Sequence, residues 1–214
     1  MKNGEPEWLP VCWSNAILNG IQETEFMKCA IFLADGFETC EALITVDMLR
    51  RAKIETDTVA IGDDLQVVSS HNIRIEADRK MSGIDFDAYD VLILPGGKAG
   101  TMHLEACGPL KEKIRSHWEA GKLTCAICAA PSIFGHMHML EGKKYTCHPD
   151  FYDPAYGGDY QMELAVTDGN LITGRGMGAT IEFARHILKC IADEETLKNV
   201  EKGMQYEHSF RTLQ

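Results

Sequence analysis

The chain has 214 residues, with 21 Lys and Arg against 32 Asp and Glu, giving a formal net charge of −11. Hydrophobic content of 45% and charged content of 25% exclude disorder over most of the length, and a chain of this size hides roughly 70% of its extended surface around one core. The acidic balance argues against a non-specific nucleic-acid binder or a binder of anionic membranes, since phosphate attraction needs a basic surface.

Residues 1–26 read differently from the rest. Trp8, Leu9, Val11, Trp13, Ile17, Leu18 and Ile21 are apolar without a sustained period, and Asn15, Asn19 and Gly20 weaken a helix. Glu5, Glu7 and Pro10 do not suit a signal peptide. No run reaches the roughly 18 apolar residues of a membrane span. The segment is expected to be a dispensable extension, with a domain over 27–192 and a C-terminal helix and tail over 193–214.

From Met27 the pattern alternates. Residues 28–34 form a short apolar run ending at Asp35-Gly36, as a buried parallel strand does. Helical spacing over 39–53 puts Ala42, Leu43, Val46 and Leu49 on one face, with Arg50 and Arg51 at the C-terminal end. Strands are predicted at 56–61, 90–94, 123–127 and 144–147. Hairpins are predicted from 65–68 with 73–75 and from 164–166 with 171–173. Helices are predicted at 99–106, 109–120, 130–140, 180–192 and 194–203. Trp118 and Phe134 read as core. Such alternation means an α/β fold with a mainly parallel sheet covered on both faces. Ligand sites in such folds lie at the carboxyl ends of the strands.

Eight cysteines, at 12, 29, 40, 107, 125, 128, 147 and 190, sit partly inside apolar runs. A chain with its own core needs no disulfide staples, so reduced thiols and a cytoplasmic location are expected. Cys128 follows an apolar strand and precedes Ala129, Ala130 and Pro131, which suit a tight turn into a helix. This is the arrangement of a nucleophile elbow with cysteine in place of serine. The helix N-terminus is expected to lower the thiol pKa. The Ala129 N–H would point where an oxyanion forms, and Gly97, in Pro95-Gly96-Gly97, could offer a second. A buried structural cysteine is the plainer alternative. Cys125 and Cys128 also make a C-x-x-C, but Cys125 is expected inside the strand, unsuited to a redox dithiol.

Glu38 and Glu41 open the first helix. They either complement its dipole or, from the same sheet edge, reach Cys128, where an apolar pocket would raise the carboxyl pKa for proton transfer.

Six segments, Ala-Asp-Gly-Phe-Glu-Thr-Cys-Glu-Ala at 34–42, Val-Asp-Met-Leu-Arg-Arg-Ala at 46–52, Leu-Pro-Gly-Gly at 94–97, Ala-Ile-Cys-Ala-Ala-Pro at 126–131, Cys-His-Pro at 147–149 and Thr-Gly-Arg-Gly-Met-Gly at 173–178, occur in this order. Together they resemble the ThiJ/PfpI superfamily, most closely its DJ-one branch. The resemblance implies a flavodoxin-like three-layer α/β sandwich and a homodimer. It also implies a reactive, oxidisable Cys128 with Glu41 as its protonated partner, His148 near them, and oxyanion N–H groups from Gly97 and Ala129. Gly96 and Arg51 are expected to contact substrate.

The implied activity is that of a small-carbonyl enzyme of glutathione-independent glyoxalase or deglycase type, acting on an aldehyde or dicarbonyl without metal or other cofactor. The alternative is a redox sensor or holdase using the same cysteine. A hydrolase or amidotransferase-like domain would need a His–acid pair around Cys128. Two departures stand out. Ala129 replaces the histidine that follows the cysteine in the intracellular-protease branch, which counts against peptidase activity. Gly176-Met177-Gly178 stands where relatives often have Gly-Pro-Gly. His136 and His138 point apart on a helix and cannot readily share one ion.

Overall fold

A computed structural model describes residues 27–206. The expectations for residues 1–26 and for the tail after 206 lie outside the described residues.

The elements in chain order are β1 (Lys28–Leu33), α1 (Thr39–Arg51), β2 (Glu55–Ala60), β3 (Gln66–Val68), β4 (Arg74–Glu76), β5 (Arg79–Lys80), β6 (Val91–Leu94), α2 (Lys98–Ala106), α3 (Gly108–Glu119), β7 (Leu123–Ile127), α4 (Pro131–His136), β8 (Lys144–Tyr145), β9 (Asp159–Tyr160), β10 (Ala165–Asp168), β11 (Leu171–Gly174), α5 (Thr180–Ile191) and α6 (Glu194–Gly203). The main sheet has seven strands in the order β10-β11-β7-β6-β1-β2-β5, and all its pairings are parallel except β10 with β11. The central run β2-β1-β6-β7-β11 is the doubly wound, flavodoxin-like order. Strands β6 and β7 are buried throughout, which is why their sequences are continuous apolar runs rather than alternating ones.

Two cores result. On one face Val46 and Leu49 of α1, Phe183 and Ile187 of α5 and Leu197 of α6 pack against Ile31, Ile93 and Ile127. On the other, Leu104, Leu110, Ile114, Ile133 and Phe134 pack against Phe32, Leu92 and Ala126.

Four local predictions need correction. Leu43 is 36% exposed, while Glu41, Thr45 and Met48 of α1 are buried, so the inward stripe is rotated toward the polar positions. The predicted helix 130–140 is only α4. His138 takes φ 60, its N–H reaches Gly135 O at 2.9 Å, and Met139 N–H reaches Phe134 O at 2.9 Å. That paired pattern is a Schellman stop, which ends a helix despite continuing apolar residues. The predicted strand 144–147 pairs only over Lys144–Tyr145. Trp118 packs against the core but is only partly buried.

Candidate active site

Strands β1, β6 and β7 end side by side, and their carboxyl ends deliver Asp35–Glu41, Pro95–Gly97 and Cys128. Cys128 leaves β7 in the left-handed region, with φ 66. A non-glycine residue there costs roughly 1–2 kcal/mol, so the surroundings must enforce it. Its N–H donates to Gly174 O at 2.9 Å and its carbonyl accepts from His148 N at 2.9 Å. The Ser132 hydroxyl closes the turn on Ala129 O at 2.7 Å.

Glu41 is fully buried. It occupies the third helical position of α1, where a carboxylate ordinarily reaches back to the N-cap N–H. Here the Gly96 peptide takes both groups. Gly96 N–H donates to Glu41 Oε2 at 2.8 Å, and Glu38 N–H donates to Gly96 O at 2.9 Å. A Cβ on Gly96 would lie 2.7 Å from Cys128 Cβ and 2.7 Å from Glu41 Oε2. Only a glycine fits between the thiol and the carboxyl. Gly97, at φ 88, would set a Cβ 2.4 Å from Gly36 O, so it too must lack a side chain.

Burial raises the Glu41 pKa to about 7, offset in part by the hydrogen bonds from Cys128 and Gly96, and Glu38 adds to the rise. Burial, and then the Glu41 carboxylate, push the Cys128 thiol up to about 12, while the Gly97 and Ala129 N–H groups pull the other way. The lowered thiol pKa expected from the helix start is therefore overridden by desolvation and by the neighbouring acid. The two groups titrate as a pair. The first proton leaves near neutrality, and the second is held because two adjacent buried charges are costly.

His148 is adjacent through its backbone, but its Nδ1 accepts from Asp150 N at 3.3 Å and its ring packs edge-on to Phe151. Arg51 lies elsewhere. It pairs with Asp47 at 2.6 Å at the far end of α1, ten residues and roughly 15 Å of helix from Glu41. Within one chain it does not reach the site. Arg50 bonds Thr56 O at 2.8 Å and Asp78 at 2.6 Å. Cys125 is buried within β7, as expected. His136 and His138 contact different carboxylates, Glu105 and Glu141.

Sequence reasoning missed the β3–β4 loop. Ser70 Oγ donates to Glu38 Oε2 at 3.1 Å and lies 3.0 Å from His71 Nδ1. No spacing links residues 32 apart, so no local signal could have found this contact.

A parallel α/β sandwich with a cysteine elbow and a buried carboxyl beside it defines a class of protein. Residues 27–190 match the model of the DJ-1/PfpI family, and the chain belongs to that family. It is 36% identical over 185 residues to Protein DJ-1alpha of Drosophila melanogaster, covering 83% of this chain and 85% of the relative. It is 34% identical over 170 residues to Protein DJ-1 homolog B of Arabidopsis thaliana, covering 78% of this chain but only 39% of that longer protein. Among solved structures, a DJ-1 superfamily protein of Salmonella typhimurium superposes with a TM-score of 0.80 at 34% identity, covering 84% of this chain and 98% of that one.

Proposed function

We propose that the protein is a cysteine-dependent small-carbonyl enzyme of glutathione-independent glyoxalase or deglycase type. The observation that carries this reading is the Cys128–Glu41 pair, set on either side of Gly96, with the Gly97 and Ala129 N–H groups favouring the thiolate. A relative from Schizosaccharomyces pombe, 26% identical over 187 residues, is named a glutathione-independent glyoxalase, which supports the assignment.

The Cys128 sulfur adds to the aldehyde carbon of methylglyoxal while the thiol proton passes by way of ionised Glu41 to the carbonyl oxygen, giving a hemithioacetal and leaving Glu41 ionised. Glu41 removes the proton from the sulfur-bearing carbon and returns it to the adjacent carbon through an enediol, the hydroxyl proton passing to the neighbouring ketone oxygen, which leaves a lactoyl thioester. Water cleaves the thioester, releasing lactate and restoring the thiol. A carboxyl that titrates near 7 both accepts and donates at neutral pH. Gly97 and Ala129 would hold the developing oxyanion, Gly96 would border the substrate, and His148 would act from the rim. The functional unit is residues 27–192, with 193–214 appended. We assign it to the reducing cytoplasm, in keeping with the free cysteines. We further propose a homodimer formed through α1 and the β3–β4 hairpin, where Leu43 and Ile73 are exposed.

Purified protein is expected to turn methylglyoxal into lactate without glutathione, and retained turnover in Cys128→Ser would defeat the mechanism. A redox-sensing role is favoured by one observation, that the partly buried Cys128 thiol adjoins a carboxyl able to stay protonated. Stable Cys128 sulfinate under mild peroxide, with negligible turnover, would select it.

A further inference from the structure

Glu38 is the N-cap of α1, yet its side chain does not cap that helix. Its carboxylate turns to the β3–β4 loop, where Ser70 Oγ donates to Oε2 at 3.1 Å. The hydroxyl has a single proton; when it gives that proton to Glu38, His71 Nδ1, 3.0 Å from Ser70 Oγ, donates to Ser70 in the tautomer that carries hydrogen there. The loop itself is fastened to the acidic turn. Gly36 N–H reaches Val68 O at 2.7 Å, Ser70 N–H reaches Phe37 O at 2.8 Å, and Val68 N–H reaches Asp35 Oδ1 at 2.8 Å.

Glu38 stands at the N-cap of the helix, three positions before Glu41, and its charge adds to the raised Glu41 pKa. The groups facing the two acids are few. Glu41 meets Cys128 from the β7–α4 turn, the Gly96 N–H and Glu38. Glu38 meets Ser70 and, at 3.9 Å, His71. Asp35 and His103 stand behind the turn, with His103 Nδ1 on Asp35 O. Among the described residues no Lys or Arg pairs with either glutamate.

We propose that Glu38, clamped by Ser70 of the β3–β4 hairpin, is a positioning residue that keeps the shared proton on the Cys128–Glu41 pair. Its negative charge disfavours ionised Glu41, and the hydroxyl fixes the distance over which it acts. The inference rests on the pairing of Cys128 with Glu41 in the reading above, but not on carbonyl turnover.

The test is a carbon-13 carboxyl titration of Glu41 in the full chain, together with the pH profile of Cys128 alkylation by iodoacetamide, read on the Cys128 peptide. Glu38→Gln is expected to move the Glu41 midpoint down by about half a pH unit to one pH unit. Glu38→Asp, which keeps the charge, should recover most of that movement, and Ser70→Ala should reproduce part of it. An unchanged midpoint in Glu38→Gln, or an equal fall in Glu38→Asp, overturns the proposal. If Glu38→Gln does not fold, Ser70→Ala decides alone, with an unchanged midpoint counting against it. The expected shifts in a protein that makes no lactate would uphold Glu38's role while removing the carbonyl reading.

Discussion

Gly96 donates its N–H to Glu41 Oε2 at 2.8 Å and thereby ties the buried carboxyl to the loop that also borders Cys128. One peptide unit sets the distance between acid and thiol, and helix α1 gives up its own capping contact to it.

The first prediction concerns stability. The folded state holds the Glu41 proton to about 7, against 4.5 for an ordinary carboxyl. Protonated Glu41 therefore favours the fold fully below pH 4.5, and the contribution is lost as pH rises through 7. The loss is about 3 kcal/mol. Urea unfolding of wild type and Glu41→Gln at pH 5 and pH 8.5 should show the Glu41 contribution missing from the variant, leaving only the dependence due to other groups such as His117 and His186. Parallel pH dependences would contradict the burial of an ionisable acid there.

Gly96→Ala places a methyl group against both Cys128 Cβ and Glu41 Oε2. The overpacking should cost about 1–3 kcal/mol. Iodoacetamide labelling of Cys128 should slow several-fold as the thiol is displaced. Unaltered labelling and stability would show that the loop gives way freely.

Cys128 bears backbone strain at φ 66. Cys128→Gly should consequently be more stable than Cys128→Ala by about 1 kcal/mol, measured by denaturant titration. Equal stabilities would mean that the elbow relaxes once the sulfur is gone.

Leu43 and Ile73 are 36% and 47% exposed. If they form the dimer face, Leu43→Glu with Ile73→Glu should give monomers in sedimentation velocity while Glu41 titrates as before. A monomeric wild type, or a variant that remains dimeric, would remove that interface.

Much of the fold was legible because buried parallel strands leave apolar runs with sharp ends. Leu123–Ile127 and Val91–Leu94 show this, each stopped by the residues that turn the chain. Misreadings arose where a distant partner decides. Leu43 fits the apolar stripe of α1, yet the helix turns Glu41 inward because Gly96 receives it. His138 carries no breaker signal, but its left-handed backbone ends α4. At the site, Cys128, Gly97 and Ala129 could be brought together from strand ends alone, with Glu38 and Glu41 both facing them, and only the family resemblance singled out Glu41. The displacement of Arg51 follows from the length of α1, and the Ser70 contact depends on a hairpin whose docking no periodicity encodes.

The elbow at Cys128 is held by Gly174 O and by His148 N–H, both supplied by later stretches of chain. A nascent polypeptide emerging from the ribosome therefore carries the cysteine well before it carries the clamps. Until residue 174 is free of the exit tunnel, the thiol behaves as an ordinary one and the left-handed turn has nothing to sustain it. Ribosome-stalled chains ending near residue 170 should label at Cys128 at the rate of an unstructured peptide, and chains released at full length at the rate of the folded protein. The raised pKa of the folded Cys128 thiol is thus acquired only at the close of synthesis.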